Sequence, residues 1–154
     1  MKISIIAVGR LGRIAEAGLA LAYAERATAA GRSLGLGPVD VVEVEARKPG
    51  KASEAEALIA QIGDAHLVAC DEHGAALASR DFAGRLAALR DQGTRRLAFV
   101  VGGADGLDPG LLRTARERLA FGPQTWPHAL VRVMLAEQVY RAVTILAGSP
   151  YHRD

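Results

Sequence analysis

The sequence predicts an α/β fold, a mostly parallel sheet with helices on both faces. Three observations carry this. Short apolar runs alternate with helix-forming stretches along the chain. The runs are nearly continuous in apolar residues, as strands covered on both faces require. A glycine cluster, Gly102-Gly103-x-x-Gly106, follows the fourth run and precedes a helix start. Open parallel sheets hold ligands at such strand ends.

Ile3 to Val8 reads as the first strand and the Ala-rich stretch Ala15 to Ala30 as a helix. Val39 to Val44 is β-branched with period two, a second strand. Ser53-x-x-Glu56 predicts a capping box, with Leu58, Ile59 and Ile62 on one face of the helix that follows. Leu67 to Cys70 is a short third strand ending at Asp71. Phe82, Leu86 and Leu89 recur at helical spacing, with Ser79 placed to act as N-cap. Leu97 to Val101 is the fourth strand. Asp108-Pro109 starts a short helix, Asp as N-cap and Pro at the first helical position. Phe121 to Trp126 holds a fifth strand or a loop, and Leu130 to Leu146 is the last helix.

A length of 154 residues suits one domain, 1–154, large enough to fold without a disulfide or metal staple. The lone Cys70 excludes an intramolecular disulfide and fits a reducing compartment. No signal peptide is recognised, and no apolar stretch reaches the roughly 18 residues a membrane span needs. The expected location is the cytoplasm, with no membrane partner. A net charge of +2 permits nucleic-acid binding without requiring it. Arg47-Lys48-Pro49-Gly50-Lys51 is a basic turn, open to solvation or to phosphate contact.

The last helix is apolar around most of its circumference, so it is expected to be shared between the core and a second subunit. Asp at Val139 or Val143 should then give monomer or unfolded protein. Glu137 and Arg141 form an i, i+4 pair in the favourable order. The chain ends Pro150-Tyr151-His152-Arg153-Asp154, a group suited to contact with a partner or substrate. Tyr151 can stack on an unpaired base, Arg153 can grip phosphate, and His152 can donate to a pyrimidine edge or help remove its proton.

Other chemistries lack their signatures. The glycine cluster is neither a dinucleotide fingerprint after the first strand nor a P-loop. His66, His73, His128 and His152 have no metal-ligand spacing, so no metal is expected. No Gly-x-Ser-x-Gly elbow exists, and Cys70 on a strand reads as inert.

Six ordered motifs resemble one family. They are Asp71-Glu72-x-Gly74, Ser79-x-x-Phe82-Ala83, Gly102-Gly103-x-x-Gly106-Leu107, Pro127-His128-x-Leu130-Val131-Arg132, Glu137-Gln138-x-Tyr140-Arg141-Ala142, and Pro150-Tyr151-His152-Arg153. Together they resemble the large-subunit ribosomal RNA methyltransferase H family of the SPOUT class, over the whole chain. The resemblance implies methylation of N3 of a pseudouridine in 23S rRNA of the assembled ribosome. It further implies a homodimer, S-adenosyl-L-methionine as cofactor, and a SPOUT-type α/β knot with a C-terminal trefoil. Cofactor contacts would be Cys70, Gly102 and the run Phe121, Gly122, Pro123, Gln124, Thr125 and Trp126. Substrate contacts would be Tyr151, His152, Arg153 and Arg141. His152, Arg153 and Arg132 are the candidates for assisting loss of the N3 proton, none singled out as the base. The chain departs from the family pattern at Ala104-Asp105, at Ala75 and at Cys70. Alternatives are a SPOUT methyltransferase acting on tRNA, or a non-catalytic RNA- or ribosome-binding module of the same fold.

Overall fold

The computed structural model describes residues 1–153. Strand β1 (Lys2–Val8) leads into helix α1 (Ala15–Gly31), then β2 (Val39–Val44), α2 (Lys51–Ile62), β3 (His66–Ala75), α3 (Ser79–Asp91), β4 (Arg96–Val101), α4 (Pro109–Thr114), β5 (Glu117–Leu119) and α5 (His128–Leu146). The five strands lie in the order β2-β1-β4-β3-β5, and every pairing is parallel. All carboxyl ends therefore share one edge.

Period two sorts the strands between two apolar layers. Ile3, Ile5, Val68, Leu97, Phe99 and Val101 face a layer shared with α1, α3 and α5. Ile6, Val8, Leu67, Ala69, Ala98 and Val100 face α2 and α4. The small residues Ala20, Ala24 and Ala27 let α1 lie close to the sheet and to α5. Phe82 and Phe99 meet with ring centroids 5.8 Å apart beneath α3.

Several local expectations are corrected. The Ser53 capping box does not form, because α2 begins two residues earlier at Lys51; the Ser53 hydroxyl instead accepts from the Lys48 amide at 3.2 Å. Ser79 is already inside α3 and donates to Gln138 Oε1 at 2.9 Å, so it ties α3 to α5 rather than capping. β3 runs past Asp71 to Ala75, with a register shift against β5 between Cys70 and Ala75. The fifth strand is Glu117–Leu119, which leaves Phe121 to Trp126 as loop. Asp108 does cap α4, accepting from Gly110 and Leu111.

Gly74 marks a close passage. A Cβ there would lie 2.6 Å from both the Arg118 carbonyl carbon and the Leu119 nitrogen. Only glycine lets the two backbones touch.

Beside this passage Glu117 pins β5 in place. Arg85 donates to it from Nε at 2.7 Å and from Nη2 at 2.8 Å, and His66 Nε2 lies 2.6 Å away. Arg85 chiefly, with His66 adding and burial opposing, holds the Glu117 carboxyl below its ordinary value. A lowered folded-state value stabilises above the ordinary carboxylate range and is lost as pH falls through the folded value. Glu117→Gln should therefore cost about 1–2 kcal/mol at neutral pH, discounted for partial exposure, and little in strong acid. Urea midpoints across pH check this; a gap that persists undiminished in acid would contradict it.

Candidate active site at the carboxyl edge of the sheet

Register brings the expected cofactor residues to one place. Cys70 on β3 pairs with Val101 on β4 and with Leu119 on β5. Gly102 directly follows Val101, and the loop from Phe121 begins two residues past Leu119. Three adjacent strands thus deliver Cys70, Gly102 and Phe121 to Trp126 to the same edge.

Each loop has a local cause. The glycine loop closes on itself, the Gly106 amide donating to the Gly103 carbonyl at 3.1 Å. A Cβ at Gly102 would lie 2.8 Å from the Gly106 carbonyl carbon, so a side chain there blocks the loop's own return before it meets any ligand. Gly122 takes φ +94°, and the Trp126 indole donates to the Phe121 carbonyl at 3.0 Å, closing the second loop. Phe121 to Trp126 make no backbone–backbone hydrogen bond among the described residues, so apart from the Phe121 carbonyl, which the indole holds, their backbone polar groups are available to a ligand edge. Cys70 is half-buried; desolvation pushes its thiol up to about 12, which keeps it neutral and inert as a nucleophile.

An apolar cleft of ≈ 480 Å³ opens beside the second loop. Phe121 and Gly122 line it, as do Leu19 and Tyr23 of α1, Phe82 of α3, and Met134, Glu137 and Gln138 of α5.

The tail folds back onto α5 of its own protomer. Glu137 Oε1 accepts from the Tyr151 hydroxyl at 3.0 Å and from Arg141 at 2.9 Å and 2.5 Å. The Tyr151 ring lies 4.7 Å from Tyr140 and 4.9 Å under the Arg141 guanidinium. Burial, with hydrogen bonds to Tyr23 and Glu137, raises the Tyr151 phenol above its ordinary value, so it stays protonated. Tyr151 is thus anchored to α5 through its hydroxyl and its ring. Arg141 Nη1 lies 3.2 Å from His152 Nδ1. An arginine can only donate, so Nδ1 accepts and the ring hydrogen sits on Nε2.

Arg132 is elsewhere. Its side chain is fully buried, donating to the Val8 carbonyl and to Glu43 at 3.1 Å. Burial lowers its pKa from the ordinary value, and Glu43 offsets part of this. It lies nine residues before Arg141 on one helix, about 13–14 Å along the axis. The three candidates for proton chemistry are therefore split: His152 and Arg153 on the tail, Arg132 inside.

Sequence reasoning missed a polar group beside the glycine loop. A Cβ at Gly103 would lie 3.0 Å from Glu54 Oε1. His128 Nδ1 is 3.3 Å from Arg132, and desolvation first, then Arg132, lowers the His128 pKa, with Glu54 opposing. His128 is thus held neutral at the start of α5. Its sequence signal was its place in the motif Pro127-His128-x-Leu130-Val131-Arg132, which assigned it no role. Among the described residues, no cluster of His, Cys, Asp and Glu is placed to hold a metal ion, and no helix is long and apolar enough to cross a membrane.

Comparison with known proteins identifies the family. The family model described as "Predicted SPOUT methyltransferase" matches residues 1–152. The chain is 70% identical over 154 residues to ribosomal RNA large subunit methyltransferase H of Phenylobacterium zucineum, covering 100% of both chains. It is 68% identical to the protein of the same name from Caulobacter vibrioides, covering 100% of this chain and 99% of that one. Among solved structures, a tRNA (m1G37) methyltransferase from Aquifex aeolicus matches with TM-score 0.56 at 10% identity, covering 99% of this chain and 74% of that one. A probable methyltransferase from Bordetella pertussis matches with TM-score 0.54 at 18% identity, covering 92% and 96%. These two likenesses concern the fold alone. With its sheet, its glycine loop and its full-length relatives in agreement, the chain belongs to the SPOUT methyltransferase family, among the ribosomal RNA large subunit methyltransferases H.

Proposed function

We propose that this chain, as one domain spanning 1–154, methylates N3 of a pseudouridine in 23S rRNA of the assembled ribosome, as a cytoplasmic homodimer using S-adenosyl-L-methionine. The observation that carries the reading is the full-length identity of 70% to a ribosomal RNA large subunit methyltransferase H. The convergence of two backbone-rich loops beside Cys70 supports it. We assign cofactor contact to Cys70, Gly102 and Phe121 to Trp126. These residues fit the cofactor: unpaired loop amides and carbonyls suit an adenine edge, and a neutral Cys70 adds no competing charge. When bound, S-adenosylmethionine supplies the electrophilic methyl group.

The remaining task is to place N3 in line and ease loss of its proton. With its hydrogen on Nε2, His152 donates toward a pyrimidine carbonyl and stabilises the base as its charge develops, rather than abstracting the proton. Arg153, exposed beside it, adds phosphate contact or charge. Arg141 fixes His152. Arg132 acts by position, holding Glu43 and the end of β1. The homodimer buries the apolar cleft with the exposed Leu19 and Leu77 beside it. The trefoil threading belongs to the same reading and rests on the family.

Ribosomes from cells lacking this modification, incubated with the protein and labelled cofactor, should gain one methyl group on a large-subunit pseudouridine, located by mass mapping. Label found only in free tRNA would replace this reading with the tRNA one. Cofactor binding by calorimetry separates either enzyme from a non-catalytic module.

A further inference from the structure

The carboxyl edge continues beyond Cys70 and the two cofactor loops to β1 and β2. Val8 pairs with Val44, so the loops after these strands lie side by side. The Gly9 amide donates to the Val44 carbonyl at 2.8 Å, and the Leu11 amide to Glu43 at 2.9 Å, which hold the first loop against the second. Five exposed cations stand on this pair: Arg10, Arg13, Arg47, Lys48 and Lys51. The loop tip 47–51 holds two of the chain's three lysines and no acid.

Two carboxylates beside these loops are already engaged. Glu45 pairs with Arg10 at 3.2 Å, and Glu43 accepts from buried Arg132. Glu56 lines the cleft below, further along α2. Arg13, Arg47, Lys48 and Lys51 have no ion-pair partner among the described residues. At the opposite edge of the molecule Arg95 likewise has no ion-pair partner among the described residues, but neighbouring cations are paired. There Lys2 pairs with Asp40, Arg96 with Asp64, and Arg90 with Asp91. Unpaired, exposed cations gathered on two adjoining loops form a point-charge surface suited to phosphodiesters. Those loops border the strands that carry the methyl-transfer site.

We propose that Arg13, Arg47, Lys48 and Lys51 form an RNA-phosphate rim that holds the nucleic acid flanking the target base. This rests on the rRNA reading above. Phosphate contacts position without reading sequence, so the rim contributes affinity and orientation and leaves base choice to the site itself.

The test is the triple variant Arg47→Gln, Lys48→Gln, Lys51→Gln, with Arg13→Gln separately and Arg95→Gln, at the opposite edge, as control. All five positions are exposed, so folding and cofactor affinity should match the parent. With ribosomes as substrate, the triple variant should raise KM on the order of tenfold and leave kcat within about twofold, and the slope of log affinity for large subunits against log salt should fall by about 2–3. Arg13→Gln should lower that slope by about one and Arg95→Gln should leave it unchanged. Unchanged KM and salt slope in the triple variant would overturn the rim. If the parent methylates no rRNA, the function above fails. Cosedimentation with large subunits then still decides the rim, through the same loss of salt slope.

Discussion

Val139→Asp is expected to unfold the protein rather than split a dimer. Val139 is fully buried within one protomer, packed among Leu135, Ala136 and Ala142 where α5 meets α1 and the sheet. A carboxylate there has no partner and no water. The cost exceeds about 4 kcal/mol, a large share of the roughly 5–15 kcal/mol that holds such domains together. Val143→Asp should behave alike, since Val143 is equally buried. The apolar circumference of α5 is thus used mostly inside the protomer. Leu19→Asp is the contrasting variant. Leu19 is 47% exposed on α1 at the apolar cleft, so its replacement should spare the fold and yield monomer. Circular dichroism and light scattering read the two outcomes. A folded, dimeric Val139→Asp protein would refute the burial argument, and a dimeric Leu19→Asp protein would move the interface elsewhere.

Removing Tyr151 to Asp154 should leave the fold and cofactor affinity near the parent while methyl transfer falls by about a hundredfold or more, on the order expected for loss of a positioned donor. The described tail contacts run to Glu137, Tyr140 and Arg141 on α5 and to Tyr23 on α1, side chains at the edge of the core, so little core is lost. Glu137→Gln tests the same device from the helix side. It weakens the acceptor that holds both Tyr151 and Arg141, and it should reduce kcat with cofactor binding intact. Mixed dimers of tail-deleted and Gly102→Val subunits would regain one working site if the tail serves the partner's pocket. Normal turnover by the truncated enzyme on ribosomes would remove the tail from the mechanism.

The strands and most helices were legible because their physics is local. Apolar runs such as Leu97 to Val101 and the Asp108-Pro109 start need no distant partner to be recognised. The two serine caps were misplaced because a capping motif competes with interactions it cannot see. Gly50 lets α2 begin early, and Gln138, 59 positions from Ser79, takes the hydroxyl of Ser79. Arg132 was grouped with the tail residues as a candidate for proton chemistry; its partners, Glu43 and the Val8 carbonyl, are 89 and 124 positions away, so its burial had no local signal. The tail suggested an open ligand surface because the acceptor for Tyr151 lies a full helix segment earlier, on Glu137. The cofactor edge was legible only through the family motifs. No residue pattern reports that Cys70 lies between Val101 and Leu119.

The packing of α1 against α5 also bears on how the chain is made. Residues 15–31 emerge early, yet the helix that covers their apolar face spans 128–146. At about 5–20 residues per second, the first helix waits roughly 5–20 s for its partner during translation. Its buried face is built from Ala20, Ala24 and Ala27, which expose far less sticky surface than leucines would over that interval. The alanine face that allows close packing in the finished protein is thus also the safer face for a nascent chain to show. Leucines at those positions should lower soluble yield during rapid synthesis beyond what their steric misfit alone predicts.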